Sequence, residues 1–182
     1  HAPSPLDPDG STPTVALIGA TELRTSSRRG RGGSVSLTGD HVGLFDASSI
    51  DASGATGGGV VRIGGDYQGS NPDLANASAS YIDTNVTIAA DAIDSGAGGK
   101  VIVWSNDSTR YLGAISARGG ASGGDGGFVE VSGKKQLDFN GNVDTLAPHG
   151  HAGSLLLDPY DLTISSGGYA NVSGGTPFDA TG

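Results

Sequence analysis

Gly126-Gly127-Phe128-Val129-Glu130-Val131-Ser132-Gly133 opens with two glycines and then alternates. Successive side chains of a strand point to opposite sides, so Val129 and Val131 face one way and Phe128 and Glu130 the other. The stretch predicts a short strand with one buried face, entered through a tight turn that glycine permits. The phrase recurs as Gly32-Gly33-Ser34-Val35-Ser36-Leu37, Gly58-Gly59-Val60-Val61-Arg62-Ile63 and Gly98-Gly99-Lys100-Val101-Ile102-Val103. A degenerate fifth copy is Ala152-Gly153-Ser154-Leu155-Leu156-Leu157.

The central apolar residues of these copies are Val35, Val61, Val101, Val129 and Leu155, separated by 26, 40, 28 and 26 residues. Each repeat carries a second marker, an apolar residue followed by Asp or Ser and a small residue: Ile50-Asp51-Ala52, Ile93-Asp94-Ser95, Ile115-Ser116-Ala117 and Val143-Asp144-Thr145. The polar stretch Asp66 to Ala79 accounts for the excess length of the second repeat as an insertion. A unit of about 26 residues cannot bury its apolar face alone, whereas stacked units can. The reading is therefore all-β: a parallel β-helix (β-solenoid) of about five to seven coils, each rising by one strand spacing of roughly 4.8 Å. Gly33, Gly59, Gly99, Gly127 and Gly153 read as its structural turns.

Around this core, residues 1–13 hold four prolines and read as an extended lead-in. The β-helix is expected over 14–164, with the inserted loop near 66–79, and 165–182 reads as a Gly/Ser-rich tail. Thr14 to Ile18 is the first strand candidate. Leu23-Arg24-Thr25-Ser26 resembles the second half of a repeat, so a partial coil should precede the first Gly-Gly phrase.

Composition narrows the function. The 182 residues include 33 glycines and carry a net charge of −9, which disfavours general nucleic-acid binding or an anionic membrane surface. There is no cysteine, so packing and backbone pairing alone must hold the fold. No apolar run approaches the ~18 residues of a membrane span. The absence of methionine indicates a processed product or an excised segment.

The runs GGKVIVWSNDSTRYLGAISARGG, GGDGGFVEVSGKKQLDFNGNVDTLAP and AGSLLLDPYDLTI, with the earlier VGLFDASSIDASGATGGGVVRIGGDYQG, resemble the repeat region of the filamentous haemagglutinin family. These are bacterial exoproteins of two-partner secretion. The resemblance spans roughly Gly32 to Ile164 and implies a secreted, right-handed β-helical passenger; it carries over no catalytic residue. The family's secretion-domain motif of Asn-Pro-Asn-Gly type has no counterpart here, so the resemblance does not imply recognition by the transporter.

Several constellations compete with a purely structural role. Asp51, Asp94 and Asp144 occupy matching repeat positions, interrupted by Ser116, and would form one outward column. Stacked carboxylates repel and would hold a cation or a raised pKa, but aspartate also suits strand-to-turn junctions, and that ordinary reading outweighs the first. Arg28, Arg29 and Arg31 cluster in a glycine-bearing turn, as an anion or polysaccharide contact or, more ordinarily, a solvated loop. His41, and the pair His149 and His151, lack the partners of a structural zinc site. Tyr67, Tyr81, Trp104, Tyr111 and Tyr160 would make a sugar-stacking surface only if one face exposes them together. Trp104 has the parity of Ile102 and should face away from Val101 and Val103, under the inserted loop. Four Asn-x-Ser/Thr sequons occur, at Asn76, Asn85, Asn106 and Asn171, and Asn76 and Asn106 rank first as glycosylation acceptors. Asp158-Pro159 reads as a strand end.

The leading expectation is a structural coil segment of a secreted or cell-surface bacterial adhesin or extracellular fibre. It would be a stiff rod with no catalytic, cofactor or metal site. Its expected partners are other copies of itself, stacked end to end, and a host-cell or matrix glycan or protein. The rival expectation is a glycan-binding or glycan-cleaving β-helix with the inserted loop as one wall of a groove.

Overall fold

The computed structural model describes residues 14–160 and the backbone of Val172–Ser173. The expected Pro-rich lead-in and nearly all of the tail lie outside the described residues. Each coil contributes three short strands. The first holds β1 (Thr14–Leu17), β2 (Glu22–Arg24) and β3 (Ser34–Leu37); the second holds β4 (His41–Leu44), β5 (Ser49–Asp51) and β6 (Val60–Ile63). The third holds β7 (Ala79–Ile82), β8 (Thr87–Ala89) and β9 (Lys100–Ser105). The fourth holds β10 (Ser108–Tyr111), β11 (Ala114–Ser116) and β12 (Phe128–Gly133), and the fifth β13 (Gln136–Phe139), β14 (Asn142–Asp144) and β15 (Ser154–Leu156). A further strand, β16 (Val172–Ser173), pairs with β14.

Like strands of successive coils pair in parallel, giving three sheets: β1-β4-β7-β10-β13, β2-β5-β8-β11-β14-β16 and β3-β6-β9-β12-β15. The chain is a parallel β-solenoid of five coils, with no α-helix among the described residues. The Val35, Val61, Val101, Val129 and Leu155 ladder is in register throughout the third sheet. Leu17, Leu44, Ile82, Tyr111 and Phe139 form the corresponding ladder of the first sheet. These side chains fill one continuous aliphatic interior, with Tyr111 stacked on Phe139 at its far end. Where the third strand hands over to the next coil, buried hydroxyls satisfy the backbone: Ser80 donates to the Trp104 carbonyl (2.9 Å) and Thr109 to that of Ser132 (2.8 Å).

The second sheet corrects one expectation. Its inward ladder is Leu23, Ile50, Ile88, Ile115 and Val143. Ile88, not Ile93, is the equivalent in the third coil, and Ile93 is 54% exposed in the following loop. The shift follows from residue identity: the third coil's strand reads Ile88-Ala89-Ala90, with alanine where the marker needs Asp or Ser, so the nearest Ile-Asp-Ser match falls in the loop past the strand.

The glycine pairs have a different reason from the one expected. None of Gly33, Gly59, Gly99, Gly127 and Gly153 has positive φ, so turn conformation does not demand them. At the last four close approach does, whereas at Gly33 the nearest atom to a new Cβ is the Thr25 Cβ at 3.0 Å. A Cβ on Gly59 would overlap the carbonyl oxygen of Gly33, and the same holds for Gly99 on Gly59, Gly127 on Gly99 and Gly153 on Gly127. The preceding glycines Gly32, Gly58, Gly98 and Gly126 sit against the carbonyls of Ala52, Ala90, Ala117 and Thr145 of the next coil. Backbone, not a yielding side chain, occupies the space.

Gly127→Ala should therefore destabilise the fold by roughly 1–3 kcal/mol, the range for forced overpacking. Gly30→Ala, where the nearest atom to a new Cβ is the Ser27 Oγ at 3.5 Å, should change stability by no more than about 0.5 kcal/mol. Urea denaturation of both variants measures the difference, and equal midpoints would contradict the close-approach account.

Candidate functional site

Two features depart from a plain coil: the connection from Ile63 to Ala79, and a trough beside it. Elsewhere the third strand passes to the next coil through two or three residues, as at Asn106-Asp107 and Lys134-Lys135. Between β6 and β7 the chain instead leaves the helix, makes a single 3-10 turn at Tyr67–Gly69, and returns. It lies over the outer face of the third sheet. The expected insertion is therefore present, and Trp104 lies beneath it: the indole is 4% exposed and borders Gly65 and Gly69.

Polar contacts fasten the loop. Asp66 accepts from the Tyr67 amide at Oδ1 (2.8 Å) and from the Asn71 side-chain amide at Oδ2 (2.9 Å), and the Arg62 Nε lies 2.9 Å from that same Oδ2. Burial pushes the Asp66 carboxyl up, but these hydrogen bonds and the Arg62 guanidinium outweigh it and hold the group below its ordinary value. The Lys100 ammonium stands 4.0 Å from Asp66, 5.1 Å over the Tyr67 ring and 5.8 Å over that of Phe128. Glu130 points outward from the core as its parity requires, yet it is fully buried because the loop covers it. Both its carboxylate oxygens accept from the Gln68 amide, at 3.2 and 3.1 Å. Gln68 takes a left-handed φ of 52° to aim that amide. Burial raises the Glu130 pKa above its ordinary value, partly offset by the Gln68 amide and Ser132 hydroxyl.

The burial of Glu130 is the residue-level feature that alternation alone misses. A signal was available: Ile102 and Trp104, on the same outward face, are apolar, which marks a covered surface next to an insertion.

The trough, about 490 Å³, runs along the glycine corner. Its floor is the backbone of Gly59, Gly98, Gly99, Gly126, Gly127 and Gly153. One wall is the column Val60, Lys100, Phe128 and Ser154; the other carries Arg31, Asp125 and His151. The Arg31 guanidinium donates to the Gly58 carbonyl at 3.3 Å, and the His151 backbone amide donates to Asp125 at 2.8 Å. A groove with the inserted loop as one wall was the feature expected of a glycan-binding β-helix; no residue of that loop lines this trough, which meets the loop only through the edge-on contact of Phe128 with Tyr67.

Other expected constellations are not brought together. Register pairs Asp51 with Ala89, Ala89 with Ser116, and Ser116 with Asp144, so Asp51 and Asp144 lie three strand spacings apart. Asp94 is in the loop with Ile93, outside that column. Asp144 pairs with Arg118 at 2.7 Å. Tyr111 points into the core, Tyr81 lies outward on the first sheet stacked with Phe45, and Trp104 is covered, so the aromatics form no single surface. His149 and His151 are exposed in the turn before β15, while His41 lies on the first sheet, 3.9 Å from Asp40. Among the sequons, the Asn76 side-chain amide donates to the Gly69 carbonyl at 2.8 Å inside the loop. Asn106 is half-buried in the β9–β10 turn, and Asn85 is exposed in the turn before β8. Asn171 lies outside the described residues.

No family model matches this sequence, and no curated protein is similar enough to match it. Among solved structures, the chain is similar to the HMW1 secretion domain from Haemophilus influenzae, with a TM-score of 0.63 and 28% sequence identity. The likeness covers 84% of this chain and 41% of that one, so this chain spans under half the length of the domain it matches. The structural likeness is thus to a secretion domain, whereas the sequence resemblance pointed to haemagglutinin repeats. No helix among the described residues is long and apolar enough to cross a membrane.

The loop contacts give opposite pH signatures. Asp66→Asn should lower stability at neutral pH, and the gap should close as pH falls through the depressed Asp66 value, where the wild-type carboxyl is protonated too. Glu130 has the reverse sign: its stabilising form is the protonated one, complete below the ordinary value of 4.5 and lost as pH rises through the folded value. Glu130→Gln should therefore gain on the wild type as pH rises. Denaturation midpoints across this range check both signs.

Proposed function

We propose that this chain is a structural coil segment of a secreted bacterial adhesin or extracellular fibre, exported by two-partner secretion. Its work is to be a stiff, protease-resistant rod, and catalysis forms no part of it. The observation that supports this reading most is the unbroken register of all three sheets. Among the described residues, every coil pairs strand for strand with its neighbours around one continuous apolar interior. The likeness to a secretion domain supports the export part of the reading. On this reading the partners are other copies of the chain, and a glycan or protein of the host surface or matrix.

Five coils at the spacing of paired strands give a rod of roughly 24 Å. Unpaired strand edges are templates for further pairing. Among the described residues β1, β2 and β3 end their sheets on one side, and β13 and β15 on the other, while β16 already pairs with β14. End-to-end stacking would use these edges. Negative-stain electron microscopy at rising concentration should reveal uniform unbranched fibres. Particles that stay small at every concentration would remove stacking from the account. Rapid proteolysis within the described strands would remove the rod itself.

A further inference from the structure

The protein is acidic overall, with 19 Asp and Glu against 10 Lys and Arg, yet its trough carries the opposite charge. Arg31 and Lys100 line it against a single acid, Asp125, with His151 beside them. Arg28 and Arg29 are exposed in the turn leading to Arg31. Among the described residues, no ion pair engages Arg28, Arg29 or Arg31. Lys100 stands 4.0 Å from Asp66, which Arg62 also holds at 2.9 Å, and it interacts with the Glu130 carboxyl as well.

We propose that this trough binds an acidic polysaccharide, a linear polymer with carboxylate or sulfate groups among its hydroxyls. Charge gives the first reason: a cationic strip on an anionic protein concentrates anions locally and repels them elsewhere. Period gives the second. The trough follows the coil axis, and the residues of one wall, Val60, Lys100, Phe128 and Ser154, step by one strand spacing of roughly 4.8 Å, so an extended polymer lying along it meets a new side chain at each step. Chemistry gives the third. Asp125 accepts hydrogen bonds, which suits hydroxyl groups and opposes an unbroken row of phosphates. Phe128, half-buried, and Tyr67, 40% exposed, offer apolar edges beside the Lys100 ammonium, suited to the C–H face of a sugar ring. The overall charge of −9 further opposes a nucleic acid, which would extend past the strip. The proposal stands independently of the export reading.

The test is affinity electrophoresis of the full chain through gels containing polygalacturonate, dextran sulfate or neutral dextran, with a single-stranded DNA oligonucleotide in solution as competitor. Retardation by at least one acidic polysaccharide and not by dextran is expected, weakening as salt rises. Arg28→Ser/Arg29→Ser/Arg31→Ser should weaken it at least about fivefold, a summed loss from three exposed charge contacts. Arg110→Gln, on the first sheet, should leave it unchanged. If the triple variant fails to fold, as judged by circular dichroism, His151→Gln with Lys100→Gln supplies the same comparison. Absence of retardation in both acidic gels, equal retardation in dextran, displacement by DNA at equal charge, or unchanged affinity in the variants would overturn the proposal.

Discussion

In all five coils, the amide of the second glycine donates to the carbonyl just past the second strand of its own coil. The pairs are Gly59 to Ala52, Gly99 to Ala90, Gly127 to Ala117 and Gly153 to Thr145, at 2.7–2.8 Å. Gly33 makes the equivalent bond to Thr25 at 2.8 Å. The glycine carbonyl then accepts from the coil above: Val60 on Gly33, Lys100 on Gly59, Phe128 on Gly99 and Ser154 on Gly127, at 2.9–3.0 Å. Each glycine thus closes its own coil and pairs with the next. At Gly59, Gly99, Gly127 and Gly153 a Cβ would overlap the glycine carbonyl oxygen of the preceding coil, which is why glycine recurs there.

That constraint sets where variation is tolerated. The loops between second and third strands differ in length, because their ends are pinned at the glycine while their middles face water. The strands themselves cannot slip, since a one-residue shift would turn the Val35 to Leu155 ladder to solvent. The one large insertion sits at the handover from the second coil to the third and folds back over a sheet face. There it converts an outward row into a second, smaller buried layer holding Ile102, Trp104 and Glu130. The loop is fastened there by polar contacts as well as by packing over Trp104: the left-handed Gln68 donates to Glu130 of β12, and Asp66 pairs with Arg62.

Most of the fold was legible because a solenoid repeats its decision. The Gly-Gly-strand phrase, read five times, placed the third sheet residue for residue, and the 40-residue gap located the insertion. The second sheet was less legible. Its strands are three residues long, and the three-letter marker matched at Ile93-Asp94-Ser95 and not at Ile88-Ala89-Ala90; only pairing with Ile50 and Ile115 identifies Ile88 as the equivalent. The role of the glycines was legible as a position and misread as a cause, since sequence does not reveal what a Cβ would strike. The trough was the least legible feature. Arg31, Lys100, Asp125 and His151 are far apart in sequence, and only the stacking of coils brings them to one corner.

The central claim is in-register stacking of coils along one axis. Ser34 and Ser154 head the outer column of the third sheet, four register steps apart through Val60, Lys100 and Phe128. The chain has no native cysteine, so Ser34→Cys with Ser154→Cys gives a clean pair for spin labels. Pulsed dipolar spectroscopy should find a single narrow distance near four strand spacings, about 19 Å, widened only by the label arms. A broad distribution, or a distance beyond about twice that value, would contradict a continuous stack.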